Sequence, residues 1–320
     1  MSYSKELLLD MYQCLLSDRL MEERLIELYA QCWVPGHIHS GVGEEASYTG
    51  VLATRKEGDQ FKFTHRNVSA YHDVGLTYRH IFCEILGKMG GNSDGKGGIN
   101  HIADKGKGII GISGALAGDI PISVGVSYAL KMQGGNNIVY CFFGDGTTSR
   151  GTVHEAMNWA SVWKLPILFI VNNNQWSIST SASEGCSIEN PGAGRAAGYN
   201  IISKVVDGTD VLSVYDGAKE LTDYIRAGNG PAVLESKCYR WRGHFEGDMA
   251  RYRDSKVAEE WHKKDCLKKF EQYLKENKYI TDADVEKMKI DVEAEIQDGI
   301  ETSEKASQPS LDTIYNNLYV

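Results

Sequence analysis

Two polar positions near the middle of the chain have the residue types and the spacing of a magnesium site. Gly144-Asp145-Gly146 follows the apolar run 138–143, and Asn174 comes 29 residues after Asp145, at the end of another apolar run. A carboxylate and an amide oxygen are too few to enclose calcium but suit magnesium that is shared with phosphate oxygens. The glycines beside Asp145 let backbone N–H groups approach such phosphates. The pattern therefore predicts a site for a magnesium diphosphate.

A βαβ unit would bring these two positions together. The sequence predicts a strand over 138–143, a helix that begins near Gly151, and a second strand over 167–171. A right-handed crossover makes the strands parallel, so their carboxyl ends meet at the sheet edge where open α/β sheets bind ligands. Each motif alone is typical of a turn or a strand end. Their combination in register favours a binding site.

The rest of the sequence predicts helices around this sheet. Apolar residues recur at helical intervals over 7–28, with polar residues 22–24 between them, which is typical of an amphipathic helix. A strand is predicted at 232–235, and Thr281 starts a capping pattern for a last helix. We predict the α/β class: a parallel sheet flanked by helices, in one domain of residues 1–320, with an N-terminal helix (1–35) and a helical tail (255–320) as additions.

Composition limits the classes of function. The net charge is -9 and the pI about 5.5, and no basic stripe is present, which argues against nucleic-acid binding. The longest apolar runs are about a third of the roughly 20 residues of a membrane span. The first residues lack a signal-peptide layout, so we expect a cytoplasmic protein. Residues 106–111 match G-x-G-x-x-G, but no strand precedes them and no acid follows about 20 residues on, which excludes a dinucleotide motif.

The sequence resembles the α subunits of thiamine-diphosphate-dependent 2-oxo acid dehydrogenase E1 components, a family that includes acetoin dehydrogenase. Gly-Asp-Gly followed after about 30 residues by Asn-Asn is that cofactor family's signature. The resemblance covers roughly the first 255 residues. It lies in the segments 36–46, Thr64-His65-Arg66, 95–101, 144–163 and 239–244. Between Gly36 and Gly125, many glycines and five of the nine histidines predict loops that line a site.

This resemblance implies thiamine diphosphate and Mg²⁺ as cofactors. It implies that Asp145, Asn174 and the backbone carbonyl of Trp176 ligate the metal. It implies further cofactor contacts at Arg66, Gly114, Leu116, Gly144, Gly146 and Thr147, where Leu116 bends the cofactor. His39 and His244 match site histidines, and a histidine tuned near neutrality can move protons. Arg240 and Arg242 could instead be loop anchors, and Glu44 and Glu45 could be first-turn acids that favour a helix dipole.

The resemblance also implies partners, because one chain of this length has room for only one of the two domains that thiamine enzymes need. An E1 β subunit in an α2β2 heterotetramer would supply the other, and a lipoyl acyltransferase E2 would accept the acyl unit from a 2-oxo acid or acetoin. Two departures leave alternatives open: Val68 stands where relatives have histidine, and Asn172 where many have glutamate. The chain could be half of a carboligase acting on an acceptor such as an activated sugar, or a non-catalytic subunit.

Overall fold

A computed structural model describes residues 3–316 of the chain. Its strands are β1 (Gln60–Lys62), β2 (Val139–Gly144), β3 (Ile167–Asn173), β4 (Trp176–Ser177), β5 (Thr180–Ser181), β6 (Ile202–Asp207) and β7 (Ala232–Lys237). Its helices are α1 (Lys5–Ala30), α2 (Glu45–Leu52), α3 (Ala70–Asp73), α4 (Tyr78–Ile85), α5 (Ile120–Gln133), α6 (Gly151–Val162), α7 (Ala182–Gly185), α8 (Pro191–Ala196), α9 (Val211–Arg226), α10 (Ser255–His262), α11 (Cys266–Glu276) and α12 (Asp282–Lys305). Within these residues no helix has the length and apolar character to cross a bilayer.

The main sheet is parallel and has the strand order β1-β2-β3-β7-β6 within the described residues. The central strands β2 and β3 are rich in β-branched and aromatic residues and are buried on both faces, as parallel strands usually are. In the register of this pair Gly144 lies opposite Asn172. Asp145 and Asn174 therefore emerge at one carboxyl edge.

Successive side chains of β2 enter two different cores. Tyr140 and Phe142 face the core formed with α1, α2, α4, α9 and α12, whereas Val139, Cys141 and Phe143 face the core formed with α5, α6 and α8. This alternation follows from the period-2 geometry of a strand. A third core joins the first half of α1 to α11. The terminal helices thus pack on the layer that covers one face of the sheet.

The structure confirms the predicted α/β class and the βαβ unit, in which α6 starts at Gly151. Thr281 caps α12 in a reciprocal capping box with Asp284, also as predicted. The glycine-rich stretch between 36 and 125 is more ordered than expected, because it holds β1 and α2 to α5. The assignment of Glu22 to a polar face of α1 is wrong, since Glu22 is 1% exposed.

Candidate functional site

A cavity of about 470 Å³ opens at the carboxyl edge of the sheet, beside the ends of β2 and β3. The structure brings all the predicted cofactor-binding positions to its wall: Arg66, Gly114, Leu116, Gly144, Asp145, Gly146, Thr147, Asn174 and Trp176. His244 lines it too, and with His39 it lines an adjoining cavity of about 160 Å³. The roles of these residues as ligands of a cofactor stay predictions.

Asp145 is a buried acid without a counter-ion. It follows β2 directly, is 4% exposed, and its Oδ2 has no hydrogen-bond partner. Burial raises its pKa to about 6, although backbone N–H groups and the charge of Arg240 act in the opposite direction. An unpartnered buried oxygen of this kind is explained when a cation or ordered water normally contacts it.

Glu44 sets the direction in which the neighbouring amides face. Its Oε1 accepts a hydrogen bond from Asn174 Nδ2 at 2.8 Å, and its Oε2 accepts one from Asn172 Nδ2 at 3.1 Å. Both amide oxygens are thereby turned away from Glu44. Asn174 Oδ1 accepts the N–H of Trp176 at 3.2 Å, and Asn172 Oδ1 has no partner. Burial raises the pKa of Glu44, while Arg66 favours its charged form.

The interpretation of Glu44 and Glu45 as first-turn acids that only favour a helix dipole is therefore wrong. Glu44 is the N-cap of α2, but its side chain makes no capping bond and instead holds the two asparagines. Glu45 pairs with Arg19 at 2.5 Å and accepts the N–H of Gly43 at 2.8 Å. Neither contact follows from the sequence pattern, because each partner is distant in the chain or depends on a loop conformation.

The turn after Asp145 is shaped for close approach of a ligand to the backbone. Residues 146–149 form a single 3₁₀ turn before α6 begins. A Cβ atom at Gly146 would lie 2.5 Å from the Cβ of Ser177, so only glycine fits there. Thr148 Oγ1 donates to the carbonyl of Asp145 at 2.5 Å and accepts from Arg195 at 2.7 Å. The turn is thus fixed from outside the cavity.

The loop that carries Gly114 and Leu116 forms the opposite wall. Leu116 is 46% exposed and lines the cavity. The loop is anchored by Asp119, whose Oδ2 accepts the N–H of Ser113 at 3.0 Å. Lys62 pairs with this carboxylate at 3.2 Å, and both side chains are buried. Lys62 was not singled out from the sequence, where one lysine in a short strand carries no signal.

Three imidazoles cluster above the cavity, and one of them was not predicted. The ring of His39 lies 4.5 Å from that of His65 and 4.8 Å from that of His244, measured between centroids. His39 Nδ1 contacts the carbonyl oxygen of His244 at 2.6 Å. His65 was quoted only within the Thr-His-Arg motif, and the structure adds it to the site.

These histidines are neutral near pH 7. Burial and then the charge of Arg66 lower the pKa of His244 to about 4 and that of His65 well below its ordinary value. Burial likewise lowers the pKa of His39, against its bond to a carbonyl. The expectation of a histidine tuned near neutrality is therefore not met in the ligand-free chain. A bound anion would raise these pKa values toward neutrality.

Positive charge at the site comes from Lys62, Arg66 and Arg150, which line the cavity, and from Arg240, whose charge acts on Asp145. Arg66 donates to the carbonyls of Ser40 at 2.9 Å and of His244 at 2.8 Å. Arg240 is 1% exposed and uses only Nη2, which donates to Ile178 O and the Tyr252 hydroxyl, while its Nε and Nη1 have no partner. Burial and repulsion from Arg66 lower the pKa of Arg240 to about 10. Arg240 thus adds positive charge near Asp145 without lining the cavity.

The alternative that both arginines after Tyr239 are loop anchors is thus correct for only one of them. Arg242 pairs with Glu246 through two hydrogen bonds of 3.0 and 2.5 Å and is an anchor. Arg240 has two buried nitrogens without a partner among the described residues, and its charge lowers the pKa of Asp145. The two residues have the same type and lie two positions apart, so the sequence alone could not separate them.

The side chain of Val68 lies in the core and not at the cavity. Its side chain is 1% exposed and belongs to the core on the α1 side of the sheet. Only its backbone N–H makes a polar contact, with Glu22 at 2.9 Å. The loss of a histidine at this position therefore does not remove a side chain from the described cavity walls.

The remaining histidines have structural partners. His72 stacks on Tyr78 with ring centroids 4.1 Å apart, and His154 bonds the Tyr199 hydroxyl at 2.8 Å. His101 Nδ1 contacts the carbonyl of Ile112 at 3.2 Å, which agrees with a loop-organising role. Residues 106–111 begin inside the 3₁₀ turn Lys105–Lys107 and continue into a loop, as expected for a chance match to a dinucleotide motif.

Comparison with known proteins agrees with this geometry. A family model described as dehydrogenase E1 component matches residues 13–312. The chain is 36% identical to the α subunit of acetoin:2,6-dichlorophenolindophenol oxidoreductase of Bacillus subtilis, over 100% of this chain and 96% of that protein. It is 35% identical to the protein of that name in Cupriavidus necator, over 99% and 95%. It is 33% identical to the pyruvate dehydrogenase E1 component α subunit of Rickettsia prowazekii, over 99% and 97%.

Proposed function

The chain belongs to the dehydrogenase E1 component family, and from this we propose that it is the α subunit of a thiamine-diphosphate-dependent enzyme that cleaves a 2-oxo acid or acetoin. The observation that carries the proposal is the unpartnered Asp145 oxygen beside Asn174 at adjacent strand ends, in the wall of a cavity that Arg66 also lines. Thiamine diphosphate, when bound, supplies the electron sink for breaking a C–C bond beside a carbonyl.

The donor set fits a magnesium diphosphate. Asp145 Oδ2, Asn174 Oδ1 and the carbonyl of Trp176 would hold the metal as hard oxygen ligands, and phosphate oxygens and water would complete its six contacts. A cation there would favour the charged form of Asp145, whose pKa burial now raises to about 6. Glu44 binds the NH₂ of Asn174 and so turns the amide oxygen away from itself, which is the role that outer-shell partners have at metal sites. That oxygen accepts the N–H of Trp176 at 3.2 Å and keeps a second lone pair for a metal.

Arg66 would bind the diphosphate oxygens. A guanidinium fork matches a phosphate group better than an ammonium does, and Arg240 adds positive charge near Asp145. Backbone N–H groups of Gly146 and Thr147 lie at the turn where Gly146 allows the closest approach. Gly144 leaves room on the strand side of this turn, since a Cβ there would lie 4.0 Å from its nearest neighbour.

His39 and His244 would handle a proton at the reacting carbonyl in complementary states. His39 Nδ1 faces a carbonyl oxygen at 2.6 Å and must carry the proton there, so its Nε2 holds the lone pair. His244 Nδ1 faces an N–H of Arg66 at 3.4 Å and accepts, so its Nε2 carries the proton. The pair thus offers one acceptor and one donor, while Leu116 supplies an apolar wall.

We propose that activity also requires an E1 β subunit, in an α2β2 assembly, and that a lipoyl domain of an E2 partner accepts the acyl unit. The relatives are named as α subunits, which supports the need for a partner chain. We propose further that residues 1–320 form one cofactor-binding domain with helical additions. The shared cores that join α1, α11 and α12 to the rest support this.

The test is co-expression with the neighbouring β chain, followed by binding of thiamine diphosphate and Mg²⁺ and by turnover of pyruvate and acetoin with an artificial electron acceptor. We expect turnover only when both chains and the cofactor are present. Steady turnover by the purified α chain without any β chain would contradict the proposed assembly. An assembled complex that binds no thiamine diphosphate would overturn the function itself.

A further inference from the structure

Glu22 lies at the centre of a buried contact that the proposed chemistry does not use. It is in α1, far from the sheet edge in sequence, and is 1% exposed. Burial raises its pKa to about 7, partly offset by backbone N–H donors. A carboxylate is expensive to bury unless its hydrogen bonds serve a purpose. Its position therefore calls for an explanation beyond the helix itself.

Each oxygen of Glu22 holds a different loop. Oε2 accepts the backbone N–H of Gly41 at 2.9 Å, and Oε1 accepts the backbone N–H of Val68 at 2.9 Å. Such bonds are strongest when the acceptor is ionised, and a pKa of about 7 makes the charged form of Glu22 the main one only above neutral pH. One side chain of α1 thus holds two loops that are distant in sequence from Glu22 and from each other.

The two loops touch directly at this point. A Cβ atom at Gly41 would lie 2.6 Å from the backbone nitrogen of Asn67, so the loops approach as closely as glycine permits. Asn67 has φ 52° and is fully buried, which makes its conformation dependent on its surroundings. In each loop, the amide that Glu22 binds lies within three residues of a site residue: Gly41 is near His39, and Val68 is near Arg66.

Those stretches carry the residues that the proposed function needs. The first loop presents His39 and Ser40, and the second presents His65 and Arg66. Arg66 Nη1 donates to the carbonyl of Ser40 at 2.9 Å, so a shift of either loop moves the guanidinium relative to the histidines. A displacement of about 1 Å at groups that orient a ligand is enough to weaken its binding or reaction.

We propose that Glu22 is a positioning residue that clamps the His39 loop to the Arg66 loop and thereby sets the affinity of the chain for the diphosphate. The diphosphate part rests on the proposed function, whereas the clamp rests on the geometry alone. Glu22 touches no cavity wall, so it acts through the two backbone amides and not on the ligand.

The experiment compares Glu22→Ala and Glu22→Gln in the full chain co-expressed with its β partner. Amide hydrogen exchange at Gly41 and Val68 reports the clamp, and calorimetric titration with thiamine diphosphate and Mg²⁺ reports affinity. We expect Glu22→Ala to raise exchange at both amides, and Glu22→Gln at one, since its NH₂ cannot accept. Each lost bond to a charged group predicts an affinity at least about tenfold weaker.

Two controls separate positioning from loss of stability. Glu23→Gln changes an exposed neighbour on the same helix and should alter neither readout. Asp59→Asn removes a buried acid at the far edge of the sheet; it should raise exchange near 56 and 138 and leave the cofactor affinity of folded protein unchanged. Glu22→Gln keeps the test decisive if Glu22→Ala does not fold.

Unchanged exchange at Gly41 and Val68 in both Glu22 variants would overturn the clamp. Increased exchange at these amides with full affinity would overturn the positioning role. If the unmodified complex binds no thiamine diphosphate, the proposed function and the diphosphate part of this proposal fail together. Exchange at the two amides would still decide the clamp in that case.

Discussion

The two edges of the parallel sheet treat buried charge in opposite ways. At the amino edge Asp59 is fully engaged: it pairs with Arg226 at 2.6 Å and accepts the N–H groups of Lys56 at 2.8 Å and Ile138 at 2.9 Å. At the carboxyl edge Asp145 Oδ2 and two nitrogens of Arg240 have no partner. Asp59 and Asp145 are both almost fully buried, at 2% and 4% exposed, so burial alone does not distinguish them.

The difference shows that a buried charge with all its hydrogen bonds made serves the fold, whereas one with an unused hydrogen-bonding atom can serve a ligand. A fully bonded carboxylate such as Asp59 contributes to stability and has nothing left to offer a ligand. An unsatisfied one such as Asp145 costs stability in the free chain and is retained because something else binds it. The same substitution at the two edges should therefore have opposite consequences.

Asp59→Asn should have the largest effect, and on stability alone. Breaking a buried ion pair leaves Arg226 uncompensated, which typically costs about 3 to 5 kcal/mol of unfolding free energy. Urea denaturation measures this loss. The specific activity of the fraction that remains folded, in complex with the β chain, should match the unmodified protein. A stable Asp59→Asn variant would erase the contrast between the edges.

Asp145→Asn should have the opposite profile. Activity of the complex should fall at least about 100-fold, because even outer-shell partners of a metal are worth about 10- to 100-fold. The melting temperature of the ligand-free chain should stay the same or rise, since an unpaired buried carboxylate is removed. Scanning calorimetry without cofactor and a turnover assay test the two halves. A clear drop in melting temperature would show that Asp145 is structural, as Asp59 is.

Glu44→Gln should have a smaller effect than Asp145→Asn, because Glu44 acts on the site through the two asparagines that it holds. Glutamine places an NH₂ against the amide of Asn174 or Asn172, so one of these side chains must turn over. We expect an apparent Mg²⁺ affinity about tenfold weaker in the presence of thiamine diphosphate, measured by titration calorimetry. Equal affinity in the Glu44→Gln complex would remove Glu44 from the metal site, and Glu23→Gln serves as the matched control.

On the stability of the chain, His244→Asn should have the smallest effect, and only in acid. The pKa of His244 is lowered to about 4 in the folded chain, whereas an unfolded histidine has about 6.5. The unfolded state therefore binds more protons between these values, and the chain loses stability as pH falls through that window. His244→Asn should reduce this loss and leave stability above pH 7 unchanged, as followed by urea midpoints. The exposed His101→Asn is the control, and a parallel pH profile of the two variants would contradict the expectation.

The part of the site formed by Asp145 and Asn174 could be predicted from the sequence, because a single βαβ crossover brings these residues together. Asp145, α6 and Asn174 lie in one contiguous βαβ unit, so the handedness and register of parallel strands fix their proximity without any knowledge of the rest. The edge strands were not predictable from the same kind of pattern. β1 has three residues, and β6 is half exposed and lacks an apolar run.

The histidine and arginine part of the site depends on long-range contacts and could be named only by resemblance. Its orientation is set by Glu22, Glu44 and Asp119, each of which holds backbone or amide groups from distant segments. An acidic residue in a helix has the same local pattern whether it is solvated or buried. The same holds for Arg240 and Arg242, because only their three-dimensional surroundings decide which of the two keeps nitrogens without a partner among the described residues.

The unpaired charges at the carboxyl edge also connect the lifetime of the protein to supply of its ligand. A molecule that binds only the folded chain adds about 2.7 kcal/mol to its stability when its concentration is 100-fold above Kd. When the nutrient that provides it runs short, the unfolded population rises by about that same 100-fold factor and becomes available to proteases. If the proposed cofactor and Mg²⁺ bind at Asp145, the abundance of this chain becomes a readout of vitamin and magnesium supply.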